Sequence, residues 1–287
     1  KEADIIIFST ERSAMSSMLV VKKLKKHKGL KTLVIVMGLF VKPVNNLISK
    51  LLQKVSINFF LNIYDNIVFL SRTEFEIAKA KYPKFNSKLF YLPFSVDTDF
   101  WKIEKEDNFT KKDKIIFIGN DGRRNFDKVV EIAKKLPQYN FLFVTEKIDE
   151  GKIQSSNVTL VKGHWNLNIL SDNEIKKMYS QSRISLIPLI NSLQPSGQSV
   201  AQQSMAMGVP VIISKTDGFW DYEKYQNNEN IIFQDNEDID SWVQTIEELY
   251  ENQDMVNYLS TNGLNLIRET NNLDNFYKNL KKILALD

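Results

Sequence analysis

The sequence contains no cysteine and only two histidines, His27 and His164. Without thiols the chain can form no disulfide, no thiolate nucleophile and no thiolate metal site. A zinc site built mainly from imidazoles is disfavoured too, because such a site needs several histidines. The composition therefore excludes cysteine-dependent chemistry and agrees with a reducing, cytoplasmic compartment.

A strong excess of one charge is also missing, as is a long apolar run. Lysine and arginine number 38 against 35 aspartates and glutamates. This balance lacks the broad basic field of a nucleic-acid binder, so we expect no nucleic-acid partner and only a local anion site. No apolar run approaches the roughly 20 residues that span a bilayer. We expect a soluble protein, at most peripheral to the inner face of the membrane.

The chain begins at Lys1 without an initiator methionine, shows no signal peptide, and enters a strand-like run almost at once. We therefore expect further residues upstream. With 287 residues and 43% hydrophobic content, the chain can bury a sizeable core in one large or two modest domains.

Short runs rich in isoleucine, valine and phenylalanine alternate with longer amphipathic stretches, a pattern typical of βα units with buried parallel strands. The first series predicts strands at residues 5–8, 33–37, 66–70 and 88–92. The second series predicts strands at residues 115–118, 141–144, 158–161, 184–187, 210–213 and 231–233. The class is therefore α/β.

A hydrophilic stretch at residues 102–114 separates the two series. We place a thin first domain at residues 1–101 and a complete doubly wound domain at residues 102–270. Residues 271–287 carry a helical apolar stripe and are expected to form a C-terminal helix that packs back toward the first domain.

The most informative stretch is residues 194–211, QPSGQSVAQQSMAMGVPV, which leads from one predicted strand to the next. Ser196 and Gly197 precede a predicted helix that stops at Gly208. Free N–H groups at such a helix start favour an anion, and a glycine lets a diphosphate approach the backbone. A simple turn fits this local pattern equally well.

Residues 203–211, QSMAMGVPV, resemble the donor-site signature EAMAxGxPV of family 4 glycosyltransferases of the GT-B fold. Residues 66–71, followed by LPFSVDTDF at 92–100, are similar to the family's interdomain passage. Residues 115–119, IIFIG, followed by two arginines, are similar to its opening strand, glycine and basic loop. The resemblance implies two Rossmann-like domains that face a cleft, the first of them incomplete.

By this resemblance, Gly119, Arg123 and Arg124 belong to the loop that holds the donor diphosphate. A guanidinium can grip phosphate oxygens in a bidentate way, and it stabilises the charge that develops as the diphosphate departs. We therefore assign catalytic roles to Arg123 and Arg124; a solvated surface pair is the alternative.

The resemblance also implies residues for the rest of the donor. Gln203 takes the place of a glutamate that holds the ribose, and its carbonyl can still accept a hydroxyl. A second family glutamate falls near Pro195, which cannot replace a carboxylate. Contacts to the sugar are therefore expected from Ser196, Gly197, Gln198 and Ser199.

Gly163, His164 and Trp165 follow the third strand of the second domain, where the family's loop passes the nucleotide base. Trp165 is expected to stack on or wall the base pocket. A packing role for the tryptophan and a structural role for the histidine are the alternatives.

Two family features of the first domain are not seen. Many members carry a histidine after an early strand, where this chain has Met37 and Gly38, and the usual glycine-rich loop is also absent from the sequence. These departures keep open a noncatalytic or partner-dependent GT-B-like protein that binds a nucleotide sugar.

The resemblance implies a retaining hexosyltransferase-type enzyme that moves a sugar from a nucleoside diphosphate sugar to a hydroxyl acceptor, either a glycan, a lipid or a small molecule. We expect no metal and no cofactor besides the donor substrate. A dehydrogenase is disfavoured, because no Gly-x-Gly-x-x-Gly turn followed by an acidic residue occurs. The basic run at residues 22–28 is compatible with peripheral contact to anionic lipid, but a solvated helix end is the favoured interpretation.

Overall fold

The computed structural model describes residues 3–26, 29–41, 46–104, 112–163, 170–235 and 238–286. Within these ranges ten strands form two separate sheets, and every strand pairing is parallel. Helices connect most of the successive strands, so the predicted α/β class is confirmed. Each predicted strand is present, with its ends shifted by two residues at most.

The first sheet has four strands in the simple order β1-β2-β3-β4. Its elements are β1 (Ile5–Phe8), α1 (Glu11–Lys25), β2 (Lys31–Val36), α2 (Leu47–Ile63), β3 (Asn66–Phe69), α3 (Arg72–Lys81) and β4 (Leu89–Tyr91). Side chains of Thr10, Asn46 and Ser71 cap the three helices by accepting a backbone N–H three residues on. One core lies between the sheet and these helices and includes Phe60, Tyr64 and Ile67.

The second sheet has six strands in the order β10-β9-β8-β5-β6-β7. Its strands are β5 (Lys114–Ile118), β6 (Asn140–Val144), β7 (Val158–Val161), β8 (Ser182–Ile187), β9 (Val211–Ser214) and β10 (Ile232–Gln234). The helices that connect or follow them are α4 (Phe126–Lys135), α5 (Asp172–Ser180), α6 (Gln198–Ala206), α7 (Ile239–Glu251) and α8 (Gln253–Thr270). The strand order reverses between β5 and β8, which makes these two strands the topological switch point of the sheet.

The second domain buries apolar side chains on both faces of its sheet. Ile116 and Ile118 point into one core together with α6, while Ile115 and Phe117 point into the other together with α4 and α7. Successive side chains of β5 therefore point alternately into the two cores, as expected of a strand covered by helices on both sides.

The last helix, α9 (Leu273–Leu284), packs against the first sheet. Leu284 is buried beside Leu33, Val68 and Leu92, and Leu280 packs against the same cluster. The chain crosses over just before this helix, where the Asn271 amide donates to the Phe94 carbonyl at 2.7 Å. The two domains are thus tied together at the end of the chain.

The proposed domain boundary at residue 102 stays a prediction, since residues 105–111 lie outside the described ranges. None of the helices that the structure describes is long and apolar enough to cross a membrane.

Candidate functional site

A cleft opens at the topological switch point of the second sheet. The loops that follow β5 and β8 diverge there, and ligands of doubly wound sheets bind in the crevice at such a point. The cavity measures about 990 Å³, and both domains line it. Its wall includes Thr10, Glu11, Arg12, Met37, Phe94, Asn120, Asp121, Gly122, Arg123, Arg124, Gln194, Pro195, Ser196, Gly197, Gln198, Ser199 and Val200. We call this cavity the switch-point cleft.

The helix start at α6 forms one end of the second-domain wall. Gly197 is its N-cap residue and has a φ of +82°, which a residue with a side chain adopts only at a cost. A Cβ there would also lie 3.0 Å from Ile187 Cγ2. Because Gly197 carries no side chain to cap the helix, the first backbone N–H groups of α6 are left for another partner.

Hydrogen bonds and burial hold α6 in place behind the cleft. The Ser204 hydroxyl makes hydrogen bonds with Ser185 Oγ of β8 at 2.9 Å and with the Val200 carbonyl at 2.8 Å. Ser204 and Ser185 are both fully buried. The helix start is therefore a rigid part of the wall and not a mobile loop end.

The loop that follows β5, opposite the start of α6, contains the buried guanidinium of Arg124. Arg124 is 4% exposed; its Nε donates to the Ile118 carbonyl at 3.3 Å, and its Nη1 lies 2.9 Å from Asp121 Oδ2. Burial lowers the pKa of Arg124, while the nearby Asp121 carboxylate acts in the other direction. A desolvated cation held by one half-exposed carboxylate gains from a further anion.

Arg123 is less buried than its neighbour. Its Nη2 donates to Gln194 Oε1 at 3.4 Å, and its backbone N–H donates to Asp121 Oδ1. The Arg123 carbonyl accepts from the N–H of Ile190, in the loop after β8. Main-chain and side-chain bonds therefore join the two loops that meet at the switch point.

A glycine of the first domain packs on the same glutamine. Gly38 has a φ of +84°, and a Cβ there would lie 2.9 Å from Gln194 Cγ. The N–H groups of Gly38 and Phe40 donate to the buried carboxylate of Glu74. The segment that lacks the family's histidine is thus fixed by Glu74 of its own domain, and Gly38 lies against Gln194 of the second domain.

The Gln198 side chain joins the two domains. Its Nε2 donates to the Leu70 carbonyl at 2.9 Å, and the residue is buried. The backbone of Gln198 lies at the start of α6, and Gln198 is one of the residues that line the cleft. Gln203 lies one helical turn beyond Ser199 on the same face of α6, and it is half-buried.

Two of the three glycines of the predicted site have packing roles. Gly119 lies against the Arg124 side chain, and Gly163 lies against Leu170, where a Cβ would come within 2.1 Å of Cδ1. The Gly163 carbonyl accepts from Asn120 Nδ2 at 2.9 Å. His164 and Trp165 lie outside the described residues.

Asn120 connects the ends of three neighbouring strands. Its Nδ2 donates to the Gly163 carbonyl, after β7. Its Oδ1 accepts from the Thr145 hydroxyl and from the Glu146 N–H, after β6. The residue itself follows β5. The three loops on this side of the cleft are therefore fixed relative to one another by one side chain.

Several cleft residues were missed in the sequence. Asn120, Asp121 and Gly122 precede the two arginines, and Thr10, Glu11 and Arg12 follow the carboxyl end of β1. Polar residues at the carboxyl ends of parallel strands are the signal that would have found both sets.

A polar cluster outside the lining of the cleft joins the two domains. Asp221 is buried; it accepts from the Tyr91 hydroxyl at 2.9 Å and lies 3.3 Å from Arg72 Nε. The Arg72 N–H donates to the Trp220 carbonyl, and the Thr73 hydroxyl donates to that of Phe219. Burial, with Asp221 adding to it, raises the pKa of Tyr91, so this phenol stays protonated as the donor.

No group of three histidine, aspartate or glutamate side chains that could hold a metal ion occurs among the residues with a described position.

Three solved structures have a similar fold. Sucrose-phosphate synthase from Thermosynechococcus elongatus matches with a TM-score of 0.77 and 16% identity over 98% of this chain and 73% of its own. A glycosyltransferase from Rickettsia africae matches with a TM-score of 0.72 and 16% identity, over 99% and 78%. Anabaena HepE, solved in complex with UDP-glucose, matches with a TM-score of 0.77 and 11% identity, over 98% and 78%. At these identities the likeness shows the fold alone.

A search of curated proteins finds no match. A family model described as Glycosyl transferases group 1 matches residues 99–266, which is more than half of the chain. That span contains both loops of the switch-point cleft and all of α6. The chain therefore belongs to the glycosyl transferases group 1 family and is a glycosyltransferase of the GT-B fold.

Proposed function

We propose that the switch-point cleft binds a nucleoside diphosphate sugar and that the enzyme transfers the sugar to a hydroxyl acceptor. One observation carries the proposal: a buried arginine, a second arginine and an uncapped helix start converge on one cavity between the domains. Such a set of donors suits a diphosphate, because each contributes positive charge or a free N–H.

Different residues would bind different parts of the donor. Arg123 and the N–H groups from Gly197 to Ser199 would hold the diphosphate oxygens, with the desolvated charge of Arg124 behind them. These groups stabilise the charge that develops as the bond between the anomeric carbon and the diphosphate oxygen breaks. Gln203 and Gly163 are not part of the cleft lining; by the family resemblance, Gln203 would accept a ribose hydroxyl, and His164 and Trp165 would border the base.

The acceptor would enter from the first domain. Thr10, Glu11 and Arg12 line that side of the cleft, so a hydroxyl acceptor placed there faces the proposed diphosphate. Its oxygen forms the new glycosidic bond, and its proton leaves with the nucleoside diphosphate. Retention of the anomeric configuration and a reaction without metal are what the family resemblance implies.

UDP is the first nucleotide to test, because Anabaena HepE was solved with UDP and with UDP-glucose. The experiment incubates the protein with UDP-glucose, GDP-mannose or ADP-glucose, with and without simple glycoside acceptors, and follows release of the nucleoside diphosphate. Release from one donor supports the proposal, and proton NMR of the product reports whether the anomeric configuration is kept.

A noncatalytic binding protein is the second candidate. Met37 and Gly38 stand where many family members carry a histidine, and Gly38 is packed against Gln194. Specific binding of one nucleotide without turnover of any donor would favour this candidate. Lack of both binding and turnover in a folded sample would rule out the proposed donor site.

We also propose that the enzyme works in the cytoplasm at the inner face of the membrane. Lys22 and Lys23, at the end of α1, are exposed and are free to approach anionic headgroups.

A further inference from the structure

Helix α2 exposes an apolar face that is unusual for a helix of a globular domain. Five side chains in its first nine residues are 59% to 86% exposed, and all five are aliphatic: Leu47, Ile48, Leu51, Leu52 and Val55. We call this set the outward face of α2. A contiguous exposed apolar patch marks an interaction surface far more often than scattered single residues do.

The outward face lies on the side of the helix away from the core. Ile57, Phe60 and Leu61 of the same helix are buried against the first sheet. Successive residues of a helix turn by about 100°, which places the outward face roughly opposite these core residues. The sequence of α2 thus carries two apolar faces, and the core uses only one of them.

Charge around the outward face has one sign. Helix α2 contains no aspartate or glutamate, and its charged residues are Lys50 and Lys54. The neighbouring helix α1 ends in the exposed Lys22 and Lys23, whereas Lys25 of its last turn is paired with Asp65. Lys22 Nζ lies 4.9 Å from the centroid of the Phe59 ring of α2. An apolar face bordered by lysines is the composition of a helix that lies in the interface of an anionic bilayer.

This charge pattern argues against a symmetric pair of chains. In a two-fold dimer the same patch meets itself, so the interface would contain the lysines of α2 from both copies and no carboxylate of α2. Like charges within one interface oppose association. An anionic lipid surface provides both an apolar layer for the leucines and a negative charge for the lysines.

We infer that the outward face of α2 docks the protein on the surface of an anionic lipid bilayer. Leu47, Ile48, Leu51, Leu52 and Val55 insert among the acyl chains, and the lysines of α1 and α2 contact the headgroups. The docking helix is not a span, and its binding is reversible and dependent on lipid charge.

Helix α2 borders the acceptor side of the cleft with a different face from the one that docks. A smaller hollow is lined by Gln53 and Ser56 of α2 together with Glu11 and Arg12, and the latter two also line the switch-point cleft. Docking would therefore bring the acceptor side close to the lipid surface; this last step rests on the proposed function, whereas the docking does not.

The test is flotation of the full chain with vesicles of phosphatidylcholine mixed with phosphatidylglycerol, and with vesicles of phosphatidylcholine alone. The test variant is Ile48→Ser/Leu51→Ser/Leu52→Ser. Its matched control is Tyr258→Ser/Leu273→Ser/Tyr277→Ser, which removes three other exposed apolar side chains, on α8 and α9. The triple serine change on α2 should weaken partitioning to anionic vesicles by about tenfold or more, because binding scales with buried apolar area.

Charge is tested separately by Lys50→Gln/Lys54→Gln. Each lysine near an anionic surface contributes roughly a fivefold change in partitioning, so this variant should bind less and lose part of its salt dependence. Equal binding to both vesicle types, or to neither, overturns the proposal. Self-association of the wild type that disappears in the triple α2 variant, without vesicle binding, also overturns it and assigns the face to contact between copies.

Nucleotide binding separates this inference from the proposed function. The thermal shift caused by UDP, if the donor site exists, should be the same in the wild type and the triple α2 variant, since none of the changed residues lines the cleft. If the protein binds anionic vesicles but UDP causes no thermal shift, the docking proposal stands and the donor-site proposal fails. If UDP causes a thermal shift but the protein does not bind vesicles, the donor-site proposal stands and the docking proposal fails.

Discussion

Gly119 and Arg124 are in such close contact that the glycine cannot carry a side chain without moving the arginine. A Cβ at residue 119 would lie 2.4 Å from Arg124 Nε and 2.8 Å from its Cγ. The arginine has little room to yield, because the Ile118 carbonyl and Asp121 hold its guanidinium and the residue is buried. The glycine thus determines where the buried charge lies.

Gly119→Ala should therefore displace the guanidinium of Arg124. We expect a loss of about 1–3 kcal/mol in the free energy of unfolding, as for other overpacked positions, together with weaker nucleotide binding. Urea unfolding and calorimetric titration with UDP measure the two effects. Gly29→Ala is the control, since nothing lies within 4 Å of a Cβ there. Equal stability of both variants would contradict the proposed fit.

Gly197→Ala tests the helix start of α6. An alanine must adopt the φ of +82° and approach Ile187 Cγ2 at 3.0 Å, so we expect a loss of about 1–2 kcal/mol from the left-handed backbone alone. The shifted N–H groups should also bind a diphosphate less well. Gly151→Ala, where the nearest atom lies 3.9 Å away, should leave both stability and binding unchanged. A Gly197→Ala protein as stable as the wild type would speak against the strained turn.

Asn120→Asp tests the side chain that joins three loops. The change replaces the Nδ2 donor by an oxygen that faces the Gly163 carbonyl, while the Thr145 and Glu146 donors keep an acceptor. The unpaired carbonyl should cost about 1–3 kcal/mol of stability, and the Gly163 loop should lose its fixed position. Asn140→Asp, an exposed position at the start of β6, is the same change without these partners. If both variants unfold at the same denaturant concentration, Asn120 has no such role.

Asp65 should make the stability of the first domain depend on pH. Burial alone would raise the pKa of Asp65, but hydrogen bonds from Lys25 and Thr32 outweigh it and hold the pKa below the ordinary value. The Lys25 Nζ lies 2.6 Å from Oδ1, and the Thr32 N–H and hydroxyl each donate to Oδ2 at 2.9 Å. A group with a lowered folded-state pKa stabilises the protein above its unfolded-state pKa and loses that effect as the pH falls.

Asp65→Asn should thus reduce the free energy of unfolding by about 1 kcal/mol at neutral pH, a modest figure because the side chain is partly exposed. The difference from the wild type should shrink as the pH falls through about 4. Asp99→Asn, the same change at an exposed position, is the control variant. A difference that is constant from neutral pH to pH about 3 would contradict the assignment.

Much of the fold could be predicted from the sequence, because it depends on local pattern. The runs that became β5 and β6 are apolar on both faces, and only a strand covered on both sides buries such a run. The position of the reversal, between β5 and β8, and the pairing of Asp221 with Tyr91 could not be predicted, since they join residues far apart in the chain.

The candidate site shows the same limit. The helix start at Gly197 follows from a glycine and a helical pattern, both local. By contrast, the Gln198 side chain was expected to contact a sugar, and only the fold shows that its amide donates to Leu70 of the other domain. Asn120 was missed because its three partners come from two other loops. The roles assigned to Arg123, Arg124 and Gln203 stay predictions.

The most direct test of the account is calorimetric titration of UDP, GDP and ADP into the wild type, Arg123→Ala and a control, Arg268→Ala, at an exposed position on α8. We predict that one nucleotide binds the wild type and the control alike and binds Arg123→Ala about 10- to 100-fold more weakly, as expected for a lost hydrogen bond to a charged group. Binding of no nucleotide to the folded wild type, or equal binding by Arg123→Ala, would contradict a donor site at the switch-point cleft.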